Sequence, residues 1–507
     1  MQTTNQSLEQ TGTTKKRQRV VIAGGGSAGW MTAASLSKLL GKSLDISLIE
    51  SEEIGRIGVG EATIPPLRTF HELLGINEQD FMKATQATFK LGIEFKDWGK
   101  RENSYIHSFG DTGKICWAAE FQHFWLAGLK KGIKAEFGAY CPEHAAAKAG
   151  KVLGANDSRL HYAYHLDAGL YADYLKKMSI AKGVNRIEGK IIDVGIHPET
   201  GYIDTLTLDN GTLIEGDLFI DCTGFAARLI EGALNTGFES YGHLIPCDTA
   251  VAVQTEKAGL PRPYTQAMAH DFGWQWRIPL QHRVGNGLVF CSRYTSDEDA
   301  IAALMDNLES PAITEPKIFR YKTGRRLKGW NKNCIAIGLA SGFVEPVEST
   351  AIHLIMASIL RLMKLFPHEE ISQANIDEYN NQTQEEMERI RDFIILHYKA
   401  TERDDTAFWR YCQNMQVPQT LAHRMALFKK SAIGSSTQSE RVLSDSWTQV
   451  MMGQGIIPEN YHQIVDQMSE QELSKFLQSI KAQVDGQVQQ MPSHQEFIDH
   501  YCKAPLL

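Results

Sequence analysis

The stretch RVVIAGGGSAG, residues 19–29, decides the fold class of this chain. Its first five residues form a short apolar run that predicts a buried strand, and the glycines that follow predict a turn. Residues 30–40 have the apolar spacing of a helix, closed by Gly41, and residues 45–49 predict a second strand with Glu50 at its end. This order of strand, glycine-rich turn, helix and strand predicts a Rossmann-type βαβ unit that binds a dinucleotide.

The glycines of the turn have separate physical tasks. Gly24 makes the tight turn, Gly26 lets the backbone approach a pyrophosphate, and Gly29 lets the helix pack closely on the strand. The helix N-terminus stabilises the bound anion. Glu50, about twenty positions past the glycines, is placed to hold a ribose hydroxyl. The alternative is a glycine-rich turn that binds no nucleotide.

Composition is that of an ordinary globular enzyme. The 507 residues are 43% hydrophobic and 22% charged, which suits one large domain or two closely joined ones. The net charge is −8 and no basic stripe is present, so we expect no nucleic-acid partner. No apolar run is long enough to cross a bilayer, so we expect no membrane partner either.

The N-terminus and the cysteines indicate the compartment. Residues 1–18 are polar, and no apolar core follows the cluster Lys15-Lys16-Arg17, so we predict a disordered tail rather than a signal peptide. The eight cysteines are scattered and form no C-x-x-C pair, so no metal site is indicated. We expect free thiols in a reducing compartment, and therefore a cytoplasmic protein.

Further strands extend the nucleotide-binding unit. Residues 186–194, 204–208 and 217–221 are strand-like and predict a β-rich segment inserted into the sheet. The segments DLFIDCTG (217–224) and NCIAIGLA (333–340) resemble the second and third nucleotide-side strands of glutathione-reductase-type FAD enzymes. From about residue 372 onward helical patterns dominate, with breaks at Pro418, residues 434–436 and Pro458.

The predicted fold class is therefore α/β. It comprises a glutathione-reductase-type FAD-binding (Rossmann-like) module with an inserted β-rich segment and a C-terminal helical subdomain. We place the disordered tail at residues 1–18, the FAD-binding module with substrate-pocket insertions at residues 19–371, and the helical subdomain that caps it at residues 372–507.

The segment WQWRIP, residues 274–279, is unusual. Alternate residues of a strand share a face, so Trp274 and Trp276 predict one bulky aromatic wall. The alternative is a half-buried strand with two core aromatics, because aromatic residues are common in strands.

Several segments in combination resemble the flavin-dependent halogenases of the tryptophan halogenase family. They are WQWRIP, GVGEATIP (58–65), FKLGIEF (89–95), TGRR (323–326) and EPVEST (345–350). The pair Gly338-Leu339, where many FAD oxygenases have Gly-Asp, also matches this family. The resemblance covers most of the chain from about residue 19 to residues 404–410 and weakens in the C-terminal third.

The resemblance implies a halogenase that uses FADH2, O2 and chloride or bromide. Hypohalous acid made at the flavin passes through a tunnel, and Lys90 delivers it to an electron-rich, indole-like aromatic. The tryptophan wall keeps this substrate away from the flavin. Glu348 stabilises the positive charge on the attacked ring or takes its proton. Residue type alone would place Lys90 at the surface, and only the motif indicates that it is buried.

The resemblance also implies the binding residues. The FAD contacts are Gly25, Ser27, Ala28, Glu50, Ser51, Glu61, Glu188, Leu339 and Ile352. The backbone amides of Thr350 and Ala351 hold the halide, and His107, Phe109 and Trp447 contact the substrate ring. Residues 345–350 also predict a helix start with Ser349 or Thr350 as the cap, and both interpretations hold because a helix N-terminus is an anion site.

The substrate and partners follow from the same comparison. Halogenases of free tryptophan carry a tyrosine pair after the region of Trp447, whereas residues 446–452 here read SWTQVMM, so indole or a larger aromatic is favoured. A separate NAD(P)H-dependent flavin reductase supplies FADH2, and a homodimer is left open. The alternatives are an FAD-dependent aromatic monooxygenase (hydroxylase or epoxidase), which consumes NAD(P)H directly, and a non-catalytic flavin-binding protein.

Overall fold

The structure of the chain is a computed structural model. It describes residues 17–54, 60–152, 160–368, 370–434 and 441–505. Most of the tail predicted at residues 1–18 lies outside these ranges, as do Gly58, Val59 and residues 435–436. Within them, no helix is long and apolar enough to cross a membrane. The same ranges contain no group of three or more His, Cys, Asp or Glu that could hold a metal ion.

A six-stranded sheet carries the predicted nucleotide-binding unit. Its strands are β1 (Gln18–Ala23), β2 (Leu44–Glu50), β8 (Asn185–Glu188), β12 (Leu218–Asp221), β20 (Trp330–Asn331) and β21 (Cys334–Ala336). Their order across the sheet is β20-β21-β12-β1-β2-β8. All neighbours pair in parallel except β20 with β21. Helix α1 (Ser27–Leu39) connects β1 to β2, so the predicted βαβ unit and the α/β fold class are confirmed.

The remaining strands form further sheets in the described part of the chain. The largest has the order β18 (Lys317–Arg320), β14 (Thr249–Thr255), β17 (Val284–Phe290), β16 (Gly273–Pro279), β15 (Thr265–His270), β5 (Gly92–Lys96) and β6 (Ser104–Ser108). Three-stranded sheets are β11 (Leu213–Glu215), β10 (Ile203–Leu208) and β9 (Ile191–Ile196); β13 (Phe238–Ser240), β19 (Gly324–Arg326) and β22 (Gly342–Phe343); and β3 (Gly60–Ala62), β7 (Ala163–Asp167) and β4 (Thr88–Lys90).

Helices cover the sheets and form the C-terminal part. They are α2 (Pro66–Leu74), α3 (Glu78–Ala84), α4 (Phe121–Lys130), α5 (Pro142–Lys148), α6 (Ala168–Ala181), α7 (Asp297–Asp306), α8 (Ala351–Lys364), α9 (Gln373–Lys399), α10 (Ala407–Asn414), α11 (Gln419–Ser431), α12 (Arg441–Gly453), α13 (Glu470–Gln489) and α14 (His494–Tyr501). The predicted helical C-terminus is confirmed, whereas the boundary between residues 371 and 372 stays a prediction. One buried cluster joins Phe95 and Trp274 of the large sheet to Leu396 and Trp447 of the helices.

The strand predicted over residues 186–194 is two strands in two sheets. β8 belongs to the central sheet and β9 to a three-stranded sheet. The chain turns between them at Gly189, whose φ of 155° is rarely adopted by residues with a side chain. The Gly189 N–H donates to the Glu50 carbonyl at 3.0 Å, which fixes the turn against the end of β2.

Asp221 holds the carboxyl end of β12 to the chain that follows. Its side chain is fully buried. Oδ1 accepts from the Thr223 N–H at 2.9 Å and from the Thr223 hydroxyl at 2.7 Å. Oδ2 accepts from the N–H groups of Leu229 and Ile230, both at 2.8 Å. One carboxylate thus satisfies the second and third amides of the π-helical turn Arg228–Ala233, while the Thr223 hydroxyl accepts from the first, that of Arg228, at 2.8 Å.

We predict that Asp221→Ala lowers the free energy of unfolding by about 2–5 kcal/mol, because it leaves buried amides without an acceptor. Asp221→Asn, which keeps the shape and one acceptor, should lose less. The measurement is unfolding in denaturant, followed by circular dichroism. The control is Asp193→Ala at an exposed position of β9, expected within about 0.5 kcal/mol of wild type. Equal effects of Asp221→Ala and Asp193→Ala would contradict this account.

Candidate active site

Lys90 ends the short strand β4 and its side chain has no solvent contact. Nζ donates to the Thr63 carbonyl at 3.0 Å and to the Ser349 hydroxyl at 2.8 Å. It also lies 5.1 Å from the centroid of the Phe109 ring. Burial lowers the pKa of Lys90 to about 7, against the opposing charge of Glu348. The amine can therefore act at neutral pH either as a charged donor or as a neutral nucleophile.

Glu348 lies in the 3-10 turn Pro346–Glu348 and is held between two histidines. Its Oε2 is 2.9 Å from His107 Nδ1, and its Oε1 is 2.7 Å from His397 Nε2. Burial alone raises the pKa of Glu348, but the two histidines outweigh it and lower the pKa from 4.5 to about 2. The stability from this pairing is present above pH 4.5 and is lost as the pH falls towards 2. Glu348 is thus an anion under all neutral and mildly acidic conditions.

The predicted substrate residues His107, Phe109 and Trp447 lie near Lys90 and Glu348. His107 is on β6, and its Nε2 is buried without a partner among the described residues. Phe109 follows β6 and faces Lys90. Trp447, on α12, is buried, and its ring lies 4.8 Å from that of Phe393. The Phe393 ring is also 5.8 Å from the ring of His107. A continuous series of contacts therefore joins the lysine, the glutamate and these rings.

The two tryptophans of WQWRIP lie on β16 with their rings on one face, as the alternation predicts. The ring centroids are 6.1 Å apart at an angle of 57°. Trp274 is buried and Trp276 is partly buried. The Trp276 ring lies over Gly287, where an added Cβ would come within 2.0 Å of it. A residue with a side chain at position 287 would therefore displace the Trp276 ring.

Glu345 holds Trp274, a contact that the sequence does not predict. It is fully buried. Its Oε2 accepts from Trp274 Nε1 at 3.0 Å and from the Tyr398 hydroxyl. Burial raises the pKa of Glu345 to about 7, because the donors around it are neutral. The first and fourth residues of EPVEST thus have opposite pKa shifts within one turn.

The start of α8 departs from the predicted helix cap. Thr350 is at the N-cap position, but no side chain caps the helix. Ser349 has a left-handed backbone, with φ of 59°, and its hydroxyl instead accepts from Lys90. The Thr350 Oγ1 atom is buried without a partner in the described ranges. The N–H groups of Thr350 and Ala351 lie at an uncapped helix N-terminus, a geometry that suits an anion.

The cradle at the N-terminus of α1 fits a dinucleotide. An added Cβ at Gly26 would meet nothing within 4 Å, so space for a phosphate lies beside this extended N-cap residue. Glu50 packs against Gly25 and accepts from Lys176 Nζ at 2.7 Å and Arg186 Nε at 2.6 Å. These partners hold its carboxylate at the edge of the cradle. The donor N–H groups and the positioned carboxylate are those that a pyrophosphate and a ribose require.

The other predicted cofactor contacts lie on several different elements. Ser27 and Ala28 begin α1, Ser51 follows β2, Glu188 ends β8, Glu61 is on β3, Leu339 is in the 3-10 turn Gly338–Ala340, and Ile352 is in the first turn of α8. An added Cβ at Gly338 would lie 2.9 Å from the Ala28 Cβ, so this turn packs directly on α1. Burial raises the pKa of Glu61 to about 7.

Besides Glu345, sequence reasoning missed the roles of four residues near Lys90 and Glu348. His397 and Phe393 are four positions apart on α9 and therefore share a face, but this spacing is common in helices. Thr63 and Ser349 belong to the segments GVGEATIP and EPVEST, so the motifs marked their neighbourhood but not their contact with Lys90.

Comparison with known proteins identifies the family of this chain. The chain matches the tryptophan halogenase family over residues 19–470. It is 35% identical to the tryptophan 6-halogenase SttH of Streptomyces toxytricini, over 82% of this chain and 84% of that protein.

Solved structures agree as well. A flavin-dependent halogenase from Xanthomonas campestris superposes with a TM-score of 0.95 at 52% identity, over 97% of this chain and 99% of that one. The flavin-dependent halogenase BrvH from Brevundimonas sp. BAL3 gives 0.92 at 43% identity, over 97% and 100%. The family match over most of the sequence and these superpositions show that this chain belongs to the tryptophan halogenase family and is a flavin-dependent halogenase.

Proposed function

We propose that this enzyme uses FADH2, O2 and chloride or bromide to halogenate an electron-rich, indole-like aromatic. The observation that carries the proposal is the fully buried Lys90, whose Nζ bonds to Ser349, the residue after the ionised Glu348. An amine that can donate a hydrogen bond or accept a halogen thus lies beside a permanent anion. That combination suits delivery of an electrophile to a ring that becomes positively charged.

The cradle at α1 would hold FAD, with the pyrophosphate at the amides of Ser27 and Ala28 and the ribose at Glu50. Gly25, Ser51, Glu61, Glu188, Leu339 and Ile352 complete the contacts. O2 would be the oxidant: it would take two electrons from reduced FAD and two from the halide, which would become hypohalous acid. The net reaction is RH + X⁻ + O2 + FADH2 + H⁺ → RX + FAD + 2 H2O, in which the ring C–H becomes C–X. A separate NAD(P)H flavin reductase provides FADH2, because the sequence has one glycine-rich nucleotide fingerprint.

The chain's own residues direct the electrophile. The amides of Thr350 and Ala351 hold the halide at the uncapped start of α8. Trp274 and Trp276 separate the flavin from the aromatic substrate. Hypohalous acid therefore has to pass through a tunnel to reach Lys90. Lys90 presents the halogen to the ring as a hydrogen-bond donor or as a haloamine. Glu348 stabilises the cationic ring, or takes its proton, while His107, Phe109 and Trp447 hold the ring in place.

The eight cysteines support a cytoplasmic location. All of them are unpaired in the structure, and seven are buried. Thiols persist in this form in a reducing compartment.

We predict that Lys90→Met stops product formation and leaves flavin binding intact. Methionine fills the buried site without an amine, so hypohalous acid should still form but should escape unused. Product should fall at least about a hundredfold. Assays would contain a flavin reductase, with halogenated indole measured by mass spectrometry and hypohalous acid by halogenation of monochlorodimedone. Lys96→Met, at an exposed position of β5, is the matched control. Substantial product from Lys90→Met would show that another group delivers the halogen.

Glu348→Gln should slow halogenation by about a hundredfold or more, because the amide keeps the shape but removes the negative charge beside the ring. The hypohalous acid trapped per FADH2 should stay near the wild-type value. The readout is the single-turnover rate of product formation. Glu72→Gln, an exposed substitution on α2, should behave as wild type. If Glu348→Gln retained the wild-type rate, the carboxylate would have no part in the chemistry.

Two polar side chains close to Trp447 in the sequence, Gln449 and Asp445, are already hydrogen-bonded. Gln449 Oε1 accepts from the Ser108 N–H at 2.8 Å, and its Nε2 donates to Asp445 Oδ2 at 2.7 Å. Asp445 Oδ2 also accepts from the Thr112 N–H at 2.9 Å. An amino-acid zwitterion loses strong hydration when it is buried, and these groups are not available to replace it.

We therefore expect indole to be halogenated in preference to free L-tryptophan. Without a clamp for the amino-acid group, ring reactivity sets the position of attack, which for indole is C3. Equal concentrations of indole and L-tryptophan would compete in one assay, with products resolved by mass spectrometry and NMR. Predominant formation of a single halotryptophan isomer would show that other residues provide the clamp.

A further inference from the structure

The strand that carries Lys90 is at the edge of its sheet. The order β3-β7-β4 leaves one side of β4 without a neighbouring strand. On that side, Leu91 N–H donates to the Pro263 carbonyl at 2.7 Å, and the Ala87 carbonyl accepts from Gln281 Nε2 at 2.7 Å. Between them, the Phe89 N–H donates to His494 Nε2 at 3.1 Å. A histidine more than four hundred positions away thus accepts from the backbone N–H of the residue that precedes Lys90.

The two contacts of His494 define its protonation state. Nδ1 lies 2.8 Å from the Pro261 carbonyl, which can only accept. The Phe89 N–H can only donate. Nδ1 must therefore carry the proton and Nε2 must be the acceptor. The side chain is buried, and this burial lowers the pKa of His494 to about 4, so the neutral tautomer persists at physiological pH.

Helix α14 is anchored independently on both sides of His494. Ser493 and Glu496 form a capping box at its N-terminus. The Phe89 ring packs against Phe497, with ring centroids 5.3 Å apart. Beyond the helix, Gln281 Nε2 donates to the Cys502 carbonyl at 3.0 Å. The helix is thus fixed to the scaffold and holds the imidazole against β4.

We infer that His494 is a positioning residue for Lys90, through its hydrogen bond to the Phe89 amide. The inference rests on the proposed role of Lys90 in halogen delivery. β4 is only three residues long, so this bond takes the place of a missing strand partner beside the lysine. Displacement of an active-site group by about 1 Å can lower the rate about a hundredfold. A small displacement of β4 would therefore impair halogen delivery by Lys90 before it impaired folding.

Two substitutions separate the two contacts of the ring. His494→Asn places an amide donor near the position of Nδ1 and keeps the Pro261 contact, but it cannot reach Phe89. His494→Gln places an acceptor near the position of Nε2 and keeps the Phe89 contact. His500→Asn, at an exposed position of the same helix, is the control.

The first readout, hydrogen exchange followed by mass spectrometry, requires no flavin. Exchange of the peptide that contains Phe89 should accelerate about tenfold or more in His494→Asn, since one buried hydrogen bond is lost. His494→Gln and His500→Asn should stay close to wild type. Unchanged exchange in His494→Asn, or equal acceleration in both His494 variants, would overturn the inference.

The second readout is the ratio of halogenated indole to hypohalous acid trapped by monochlorodimedone. For His494→Asn the ratio should fall about tenfold to a hundredfold, while total hypohalous acid stays within about twofold of wild type. If halogenated indole and hypohalous acid fell in parallel, the role of His494 would be purely structural and the inference would be overturned. If Lys90→Met leaves the ratio unchanged, the proposed role of Lys90 fails instead. If His494→Asn does not fold, His494→Gln alone tests the inference. A fall in its ratio of halogenated indole to trapped hypohalous acid would then overturn the inference.

Discussion

An amine without solvent contact has to be solvated by the protein, and this constraint organises the centre of the molecule. Lys90 Nζ donates its two hydrogen bonds to Thr63, before α2, and to Ser349, before α8. A buried charge without such partners would cost several kcal/mol. The segments that contain Thr63, Lys90 and Ser349 must therefore stay in fixed positions relative to one another. The position of the lysine thus depends on the packing of β3, β4 and α8.

The backbone departs from regular structure where it meets this lysine. Ser349 has a φ of 59° although it is not glycine, a conformation that costs about 1 kcal/mol or more. The strain places its hydroxyl on Lys90 and lets α8 begin without a cap. A regular cap would have used the hydroxyl of residue 349 or 350 on the helix amides. Here the Ser349 hydroxyl accepts from Lys90 instead, and no side chain caps the helix. Such local exceptions to sequence rules are typical of functional sites.

The sequence predicts those features that depend on short-range pattern. Glycine spacing and apolar runs predicted the βαβ unit, and alternation predicted that Trp274 and Trp276 share a face. The split of residues 186–194 was missed because it depends on the conformation of a single residue, Gly189. His397 and His494 were missed for another reason. Each reaches the site from a helix far away in the chain, so only the tertiary structure brings it to Glu348 or Phe89.

The two glutamates of EPVEST show how one short segment can perform two tasks. Glu348 faces two histidines and has its pKa lowered to about 2, whereas burial raises the pKa of Glu345 to about 7. Groups whose environments push their pKa values apart have separate roles. A permanent anion suits the stabilisation of a cationic ring. A carboxyl group with a pKa near 7, such as that of Glu345, is better suited to holding Trp274. It can accept a hydrogen bond from the indole N–H in either protonation state.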